Sequence, residues 1–106
     1  MTFDARRLDR AVTILRFSED LDKRGAAVAS WVYVTRLRAA IVRTSTVDGD
    51  ELGTTTTFHT RFADVRPLDR VQLGADLFEV TAVRELGRRQ GLELRTRAPR
   101  FREADQ

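Results

Sequence analysis

VASWVYVTRLRAAIV, residues 28–42, is the longest β-branched and apolar run in this chain of 106 residues. Val, Trp, Tyr, Thr and Ile pack well on a pleated, half-buried surface, so the run reads as a strand. Its parity is mixed. Trp31, Tyr33, Leu37, Ala39 and Ile41 fall on one face, and Val32, Val34, Ala40 and Val42 share the other with Arg36 and Arg38. A strand that is apolar on both faces bends or crosses between two surfaces. A helix over residues 36–42 is the alternative for its second half.

Working outward, AVTILRF (residues 11–17) is a second strand, and SEDLDKRGAA (18–27) between the two reads as a polar connecting turn. Downstream, TFHTRF (57–62) alternates Phe58, Thr60 and Phe62 with His59 and Arg61, at the period of two of a strand. ADVRPLD is a turn around Pro67, RVQL a short strand and GAD a tight turn. In LFEVTAV (77–83), Phe78, Val80 and Ala82 alternate with Glu79 and Thr81. ELGRRQG is a hairpin turn leading into LELRTR (92–97). About six short strands separated by turns predict an all-β fold, a small antiparallel β-barrel or sandwich. The chain reads as one domain with its core at about 8–97, a long polar loop at 43–57 and a tail at 98–106, loose or docked on a partner.

Composition narrows the function. Hydrophobic residues make up 42%, enough for one modest core, and there is no cysteine for a disulfide or thiolate metal site. No run approaches the roughly 20 apolar residues that span a bilayer. The opening MTFDARRLDR has no apolar segment of a signal peptide, so cytoplasmic synthesis is expected. Net charge is +3, and Lys23 is the only lysine beside many arginines. That bias suits either GC-rich coding or phosphate-binding guanidinium forks. His59 is the only histidine, and its alternation places it on the outer face of a strand. Without Cys or a second His the common catalytic dyads and triads cannot be assembled. Asp48, Asp50 and Glu51 lie close together but lack the loop pattern of a calcium site, and no glycine-rich phosphate motif occurs. The expectation is no enzyme, no metal and no cofactor. Most aromatics fall at core-type positions. That leaves a nucleic-acid-binding β-barrel, which needs exposed stacking rings, as a different-class alternative.

The ordered pieces resemble the phage head–tail joining family of head-closure, stopper and adaptor-type proteins. The resemblance runs from Leu8 to Arg97. It rests on LDRAVTI with Leu8, Val12 and Ile14, then Trp31, Val34 and Ala39, then Arg61–Phe62, Arg70–Val71, LFEVTAV and GLELRTR. No single piece is specific; the series in order is. The resemblance implies a small β-barrel whose copies, six or twelve, form a ring under the portal or adaptor. Such a ring continues the DNA channel, retains the packaged genome without sequence-specific binding and docks a tail terminator or tail tube. It implies a virion neck protein assembled in the bacterial host cytoplasm, with no membrane partner. The source would be a tailed phage, a prophage or a gene transfer agent. A tail terminator or completion ring protein is a neighbouring alternative.

The loop RTSTVDGDELGTTTT (43–57) departs most from the family pattern. Asp48, Asp50 and Glu51 against Arg43 give it −2, leaving +5 on the rest of a chain whose total is +3. An acidic loop repels phosphates and lets DNA slide. Asp48, Asp50, Glu51, Thr54, Thr55, Thr56 and Thr57 are therefore the channel-lining or gating candidates, against an ordinary solvated loop. The threonines have strand propensity and are expected to add to a sheet when the ring forms. Ring contacts are head-to-tail, so Arg36, Arg38, Arg61, Arg95, Arg97 and Phe101 are candidates to meet a neighbouring copy or ring. The turn at 18–27 and the tail from Ala98 are further docking candidates.

Overall fold

The computed structural model describes residues 7–45 and 53–98. Six strands follow in order: β1 (Arg10–Leu21), β2 (Ala27–Ser45), β3 (Thr55–Arg61), β4 (Arg70–Leu73), β5 (Asp76–Leu86) and β6 (Gly91–Arg97). They close an antiparallel barrel in the order β1-β2-β3-β6-β5-β4. The expected all-β barrel is thus observed, and the helical alternative for residues 36–42 is not: that stretch is continuous strand.

Three β-bulges explain the mixed parity. Val34 is the extra residue of β2 opposite the Ile14–Leu15 step, and Val42 opposite the Phe58–Thr57 step. Thr81 plays the same part in β5. Each bulge inserts one residue and so exchanges the two faces. Leu37 and Ala39 therefore point into the barrel, while Trp31 and Tyr33, of the same parity, lie on the outer face beyond Val34. Ala82, which alternation would place with Phe78 and Val80, turns outward, and Val83 packs inward instead. The bulges give the strands the bend that closure of a small barrel needs.

The interior is filled by Val12, Ile14, Ala39, Phe58, Val65, Val71, Val80, Leu92 and Leu94. Phe58 and Phe78 meet edge-to-face at 5.1 Å between ring centres. Thr60 and Thr96 are also buried, their hydroxyls donating to the Arg61 and Thr56 carbonyls. Of the remaining aromatics, Phe17 and Trp31 pair edge-to-face on the outer surface, where the Arg70 guanidinium lies 4.1 Å from the indole centre. Tyr33 and Phe62 are exposed, so fewer aromatics serve the core than the sequence pattern suggests.

Two expected boundaries move. The polar loop does not span 43–57: Arg43, Thr44 and Ser45 pair with Thr57, Thr56 and Thr55, leaving 46–54 as the connection. Threonine's strand preference is realised within one chain, because β3 already has β2 on one side and β6 on the other. The turn at 18–27 is also shorter. β1 and β2 continue as a two-stranded arm to Leu21 and Ala27, and only residues 22–26 turn. Asp22 builds that turn: its carboxylate accepts from the Arg24 and Ala26 amides at 2.8 and 2.9 Å. From Leu15 to Leu21 the arm runs about 20 Å beyond the closed barrel.

The β3–β4 connection holds a strained residue. Arg66–Asp69 is a turn closed by the Asp69 amide donating to the Arg66 carbonyl, with Pro67 second and Leu68 third. The third position of this turn type needs a positive φ, normally glycine's, yet Leu68 sits there at φ 78 with 58% of its surface exposed. Leu68→Gly should therefore raise stability by about 0.5 kcal/mol, a melting-point rise of about 2–4 °C. Calorimetry checks this, and a lower melting point would mean that Leu68 packing outweighs its strain.

Candidate assembly site

The strands overlap incompletely, leaving short open edges on β2 at 40–45 and β5 at 81–86, but the longest open edge among the described residues lies in the arm. β2 pairs with β1 over Ala27–Ala39 on one edge and with β3 only from Ala39 onward on the other. Among the described residues, the β2 edge from 27 to 38 therefore has no strand partner. β1 meets β4 only at Thr13, Ile14 and Leu15, which leaves its edge from Arg16 to Leu21 open in the same sense. The arm also exposes apolar side chains: Leu21 (74%), Tyr33 (63%), Val28 and Val32. An open strand edge flanked by exposed apolar residues is a template for pairing with another chain.

A clamp fixes the arm's base. Arg16 donates from Nε and one terminal nitrogen to the two Asp69 carboxylate oxygens, both at 2.9 Å. The same guanidinium reaches the Asp64 carbonyl at 3.2 Å and its carboxylate at 3.4 Å. Asp69 is buried and also accepts from the Arg66 amide at 2.8 Å. Such a bidentate fork fixes direction as well as distance. Asp64 is held below the ordinary carboxylate range, first by the hydrogen bond and charge of Arg66 and then by the nearby Arg16.

A second surface lies on the outer wall of β2, β3, β6 and β5. Cross-strand register lines up Ala40, His59, Glu93 and Arg84 in one row, and Arg43, Thr57, Arg95 and Ala82 in the next. Arg43, Ala82, Arg84, Glu93 and Arg95 line an open groove of about 320 Å³. Beneath it His59 and Glu93 are buried side by side, His59 Nε2 3.2 Å from Glu93 Oε1. Arg84 holds the other carboxylate oxygen at 3.0–3.1 Å. Burial pushes the Glu93 carboxyl up, but the His59 hydrogen bond and the Arg84 guanidinium outweigh it and keep it below its usual 4.5. Arg43 and Arg95 carry the groove's remaining positive charge.

The sequence candidates scatter across these surfaces. Arg36 and Arg38 are exposed on β2, opposite Thr13 and Ala11, and Arg61 is exposed at the end of β3. Arg95 lies in the groove. Arg97 is occupied by the buried Glu79, at 2.7 and 2.8 Å. Thr54 and Thr55 are half-buried, and Thr56 and Thr57 are buried in β3. Asp48, Asp50, Glu51 and Phe101 lie outside the described residues. Arg84, Glu93 and the Arg16–Asp69 clamp are additional. The first pair was readable from the hairpin turn: counting outward from Leu86–Gly91 sets Arg84 against Glu93. The clamp joins residues 53 apart and had no local signal. Among the described residues no group of His, Cys, Asp and Glu is arranged to hold a metal ion, and no helix is long and apolar enough to cross a membrane.

The strengthened acidity of Glu93 fixes the sign of a pH dependence. A carboxylate whose acidity is strengthened by folding adds stability above its unfolded value, and that stability is lost as pH falls through the folded value. Glu93→Gln should therefore lower stability by about 1–2 kcal/mol at pH 7. The difference from the parent should shrink once pH drops below 4.5. Urea unfolding at pH 7 and pH 3.5 measures both, and a difference that grew in acid would show that the ion pair contributes nothing.

The sequence profile of the family described as "phage head completion protein" matches residues 3–99. The fold is similar to a chain in the virion of a native gene transfer agent particle, with a TM-score of 0.62 and 23% identity, covering 84% of this chain and 92% of that one. It is also similar to the solution structure of protein SF1141 from Shigella flexneri 2a, with a TM-score of 0.69 and 19% identity, covering 91% and 96%. No curated protein is significantly similar in sequence. The profile match begins before β1 and ends after β6, so the chain belongs to the phage head completion protein family, whose members build the particle rather than catalyse a reaction.

Proposed function

We propose that this chain is the stopper, or head-closure, subunit of a head–tail connector in a tailed phage or gene transfer agent. Its copies form a ring beneath the portal or adaptor, continue the DNA channel, retain the packaged genome and receive the tail. The observation that carries this reading is the family match over nearly the whole barrel. The geometry supports it. A closed barrel with one open-edged arm and an arginine-lined wall has the surfaces for repeated lateral contact, and neither surface carries a catalytic constellation.

The ring brings the connections at the Ser45–Thr55 end of every barrel to a common rim. Asp48, Asp50 and Glu51 sit in that connection, and they line or gate the channel. Carboxylates facing the lumen repel phosphates, whereas arginines there would hold DNA with a strong salt dependence. Replacing all three acids with Ser should alter DNA retention or ejection in assembled particles. Unchanged retention and ejection would remove the gating role while leaving the ring.

Electron microscopy of particles made without this gene tests the main reading. Emptied, tailless heads beside free tails are expected. Complete tailed particles with normal DNA content would overturn it. A nucleic-acid-binding barrel, favoured only by the Arg43–Arg84–Arg95 groove, would then become the better account. That barrel would bind free duplex at low salt with a steep salt slope, which a connector subunit does not.

A further inference from the structure

The arm and the arginine groove occupy opposite ends of one strand. Val28 lies near the start of β2 and Arg43 near its end, fifteen residues later, and β2 is continuous strand between them. At about 3.3 Å per residue a strand holds two such points up to about 50 Å apart, so an arm tip does not fold onto its own groove. Two complementary surfaces that cannot meet within one chain suit a head-to-tail contact between copies.

One face of the arm is complementary to the groove in both charge and polarity. Register places Asp20 opposite Val28, Ser18 opposite Ser30 and Arg16 opposite Val32, all on one face of the arm. Arg16 is committed to Asp69, which leaves Val28, Val32 and the exposed Asp20 carboxylate on that face. Asp22 is committed to its own turn. On the groove side, the Glu93 carboxylate is satisfied by His59 and Arg84, while Arg43 and Arg95 are exposed. Ala82 gives the groove a small apolar patch, and the exposed Val42 adjoins Arg43. We propose that the arm of one copy docks across the groove of the next. In this contact Asp20 meets Arg43 and Arg95, and Val28 and Val32 are covered against Ala82 and Val42. The proposal rests on the ring reading for its place in a particle and names the contact that builds the ring.

The chain has no cysteine, so an introduced pair reports only the contact tested. Asp20→Cys combined with Arg95→Cys should give a ladder of covalent multimers on mild oxidation, in concentrated protein or in purified particles. Each single variant should stop at the dimer, and Asp20→Cys with Gln72→Cys, on another wall, should not ladder. Loss of the ladder in both settings, or an equal ladder from the Gln72 pair, would overturn the proposal. A charge exchange gives a second reading that needs no disulfide geometry. Asp20→Arg should weaken self-association at least tenfold in sedimentation, and adding Arg95→Asp should restore it; no restoration would count against the contact. Deletion particles that remain complete alongside an intact ladder would remove the connector role and keep the interface. Emptied heads without a ladder would do the reverse.

Discussion

The Arg16–Asp69 fork is the interaction on which the shape depends. β4 is only four residues long, yet it alone bridges β1 and β5 to close the barrel. Three cross-strand pairs join it to β1. Two of the flanking backbone bonds are held by the turn that carries Asp69: Leu68 donates to the Val80 carbonyl, and Val80 donates to that of Asp69. Asp69 thus fixes the start of β4 from the loop side while Arg16 ties the same carboxylate to β1. A buried carboxylate that lost its guanidinium would cost about 3 kcal/mol, a large share of the few kcal/mol that stabilise a domain of this size. The clamp also decides where the arm points, because Arg16 is the first β1 residue beyond the β4 pairing.

Strain and specificity meet in that same turn. A leucine at φ 78 is tolerated because the surrounding bonds over-determine the turn: Asp69 amide to Arg66 carbonyl, Arg66 amide to Asp69 carboxylate and Leu68 amide to Val80 carbonyl. Similar reasoning applies to the charges on the barrel's outside. Arg70, Glu79, Glu93 and His59 are buried although each lies on a strand's outer side, and a buried charge survives only with partners. Glu79 has Arg97, Glu93 has Arg84 and His59, and Arg70 lies against the Trp31 ring. The arginine bias therefore has a structural use apart from nucleic acid. Planar forks reach across strands and satisfy carboxylates in two directions, which a lysine's single ammonium does less well.

Much of this was legible in the residues, and the rest was hidden for definable reasons. The strands RVQL, TFHTRF and LELRTR are period-two segments bounded by turns, and alternation located them to within a residue or two. The family resemblance rested on the order of such segments, which a barrel preserves. Bulges defeat alternation because an inserted residue leaves no compositional mark: Val34, Val42 and Thr81 look like any other strand residue, yet each exchanges the faces. In sequence the arm looks like a turn because Glu19, Asp20 and Asp22 are polar, whereas a ribbon open to solvent on both faces has no need of apolar alternation. The polar stretch from residue 43 looks like loop for the same reason. The clamp and the His59–Glu93 pair join strands that are distant in sequence, and only the tertiary topology brings them together, whereas the Glu79–Arg97 pair lies within the β5–β6 hairpin but beyond the Thr81 bulge, which offsets a count from the turn.

Closure itself limits where another copy could attach. A barrel removes sheet edges, and with them the usual route by which β proteins associate. Any contact between copies must then come from side chains on the wall or from strand that leaves the barrel. This chain has both, on one strand: β2 contributes the arm at its beginning and the groove's Arg43 at its end. Because the Val34 bulge sets which face of the arm continues the barrel's inner surface, and the Val42 bulge turns Arg43 outward, the same two inserted residues that bend β2 into a barrel also set the relative orientation of its two candidate contacts. A deletion that removed either inserted residue would therefore not simply loosen the fold. It would rotate one candidate surface against the other by a strand face.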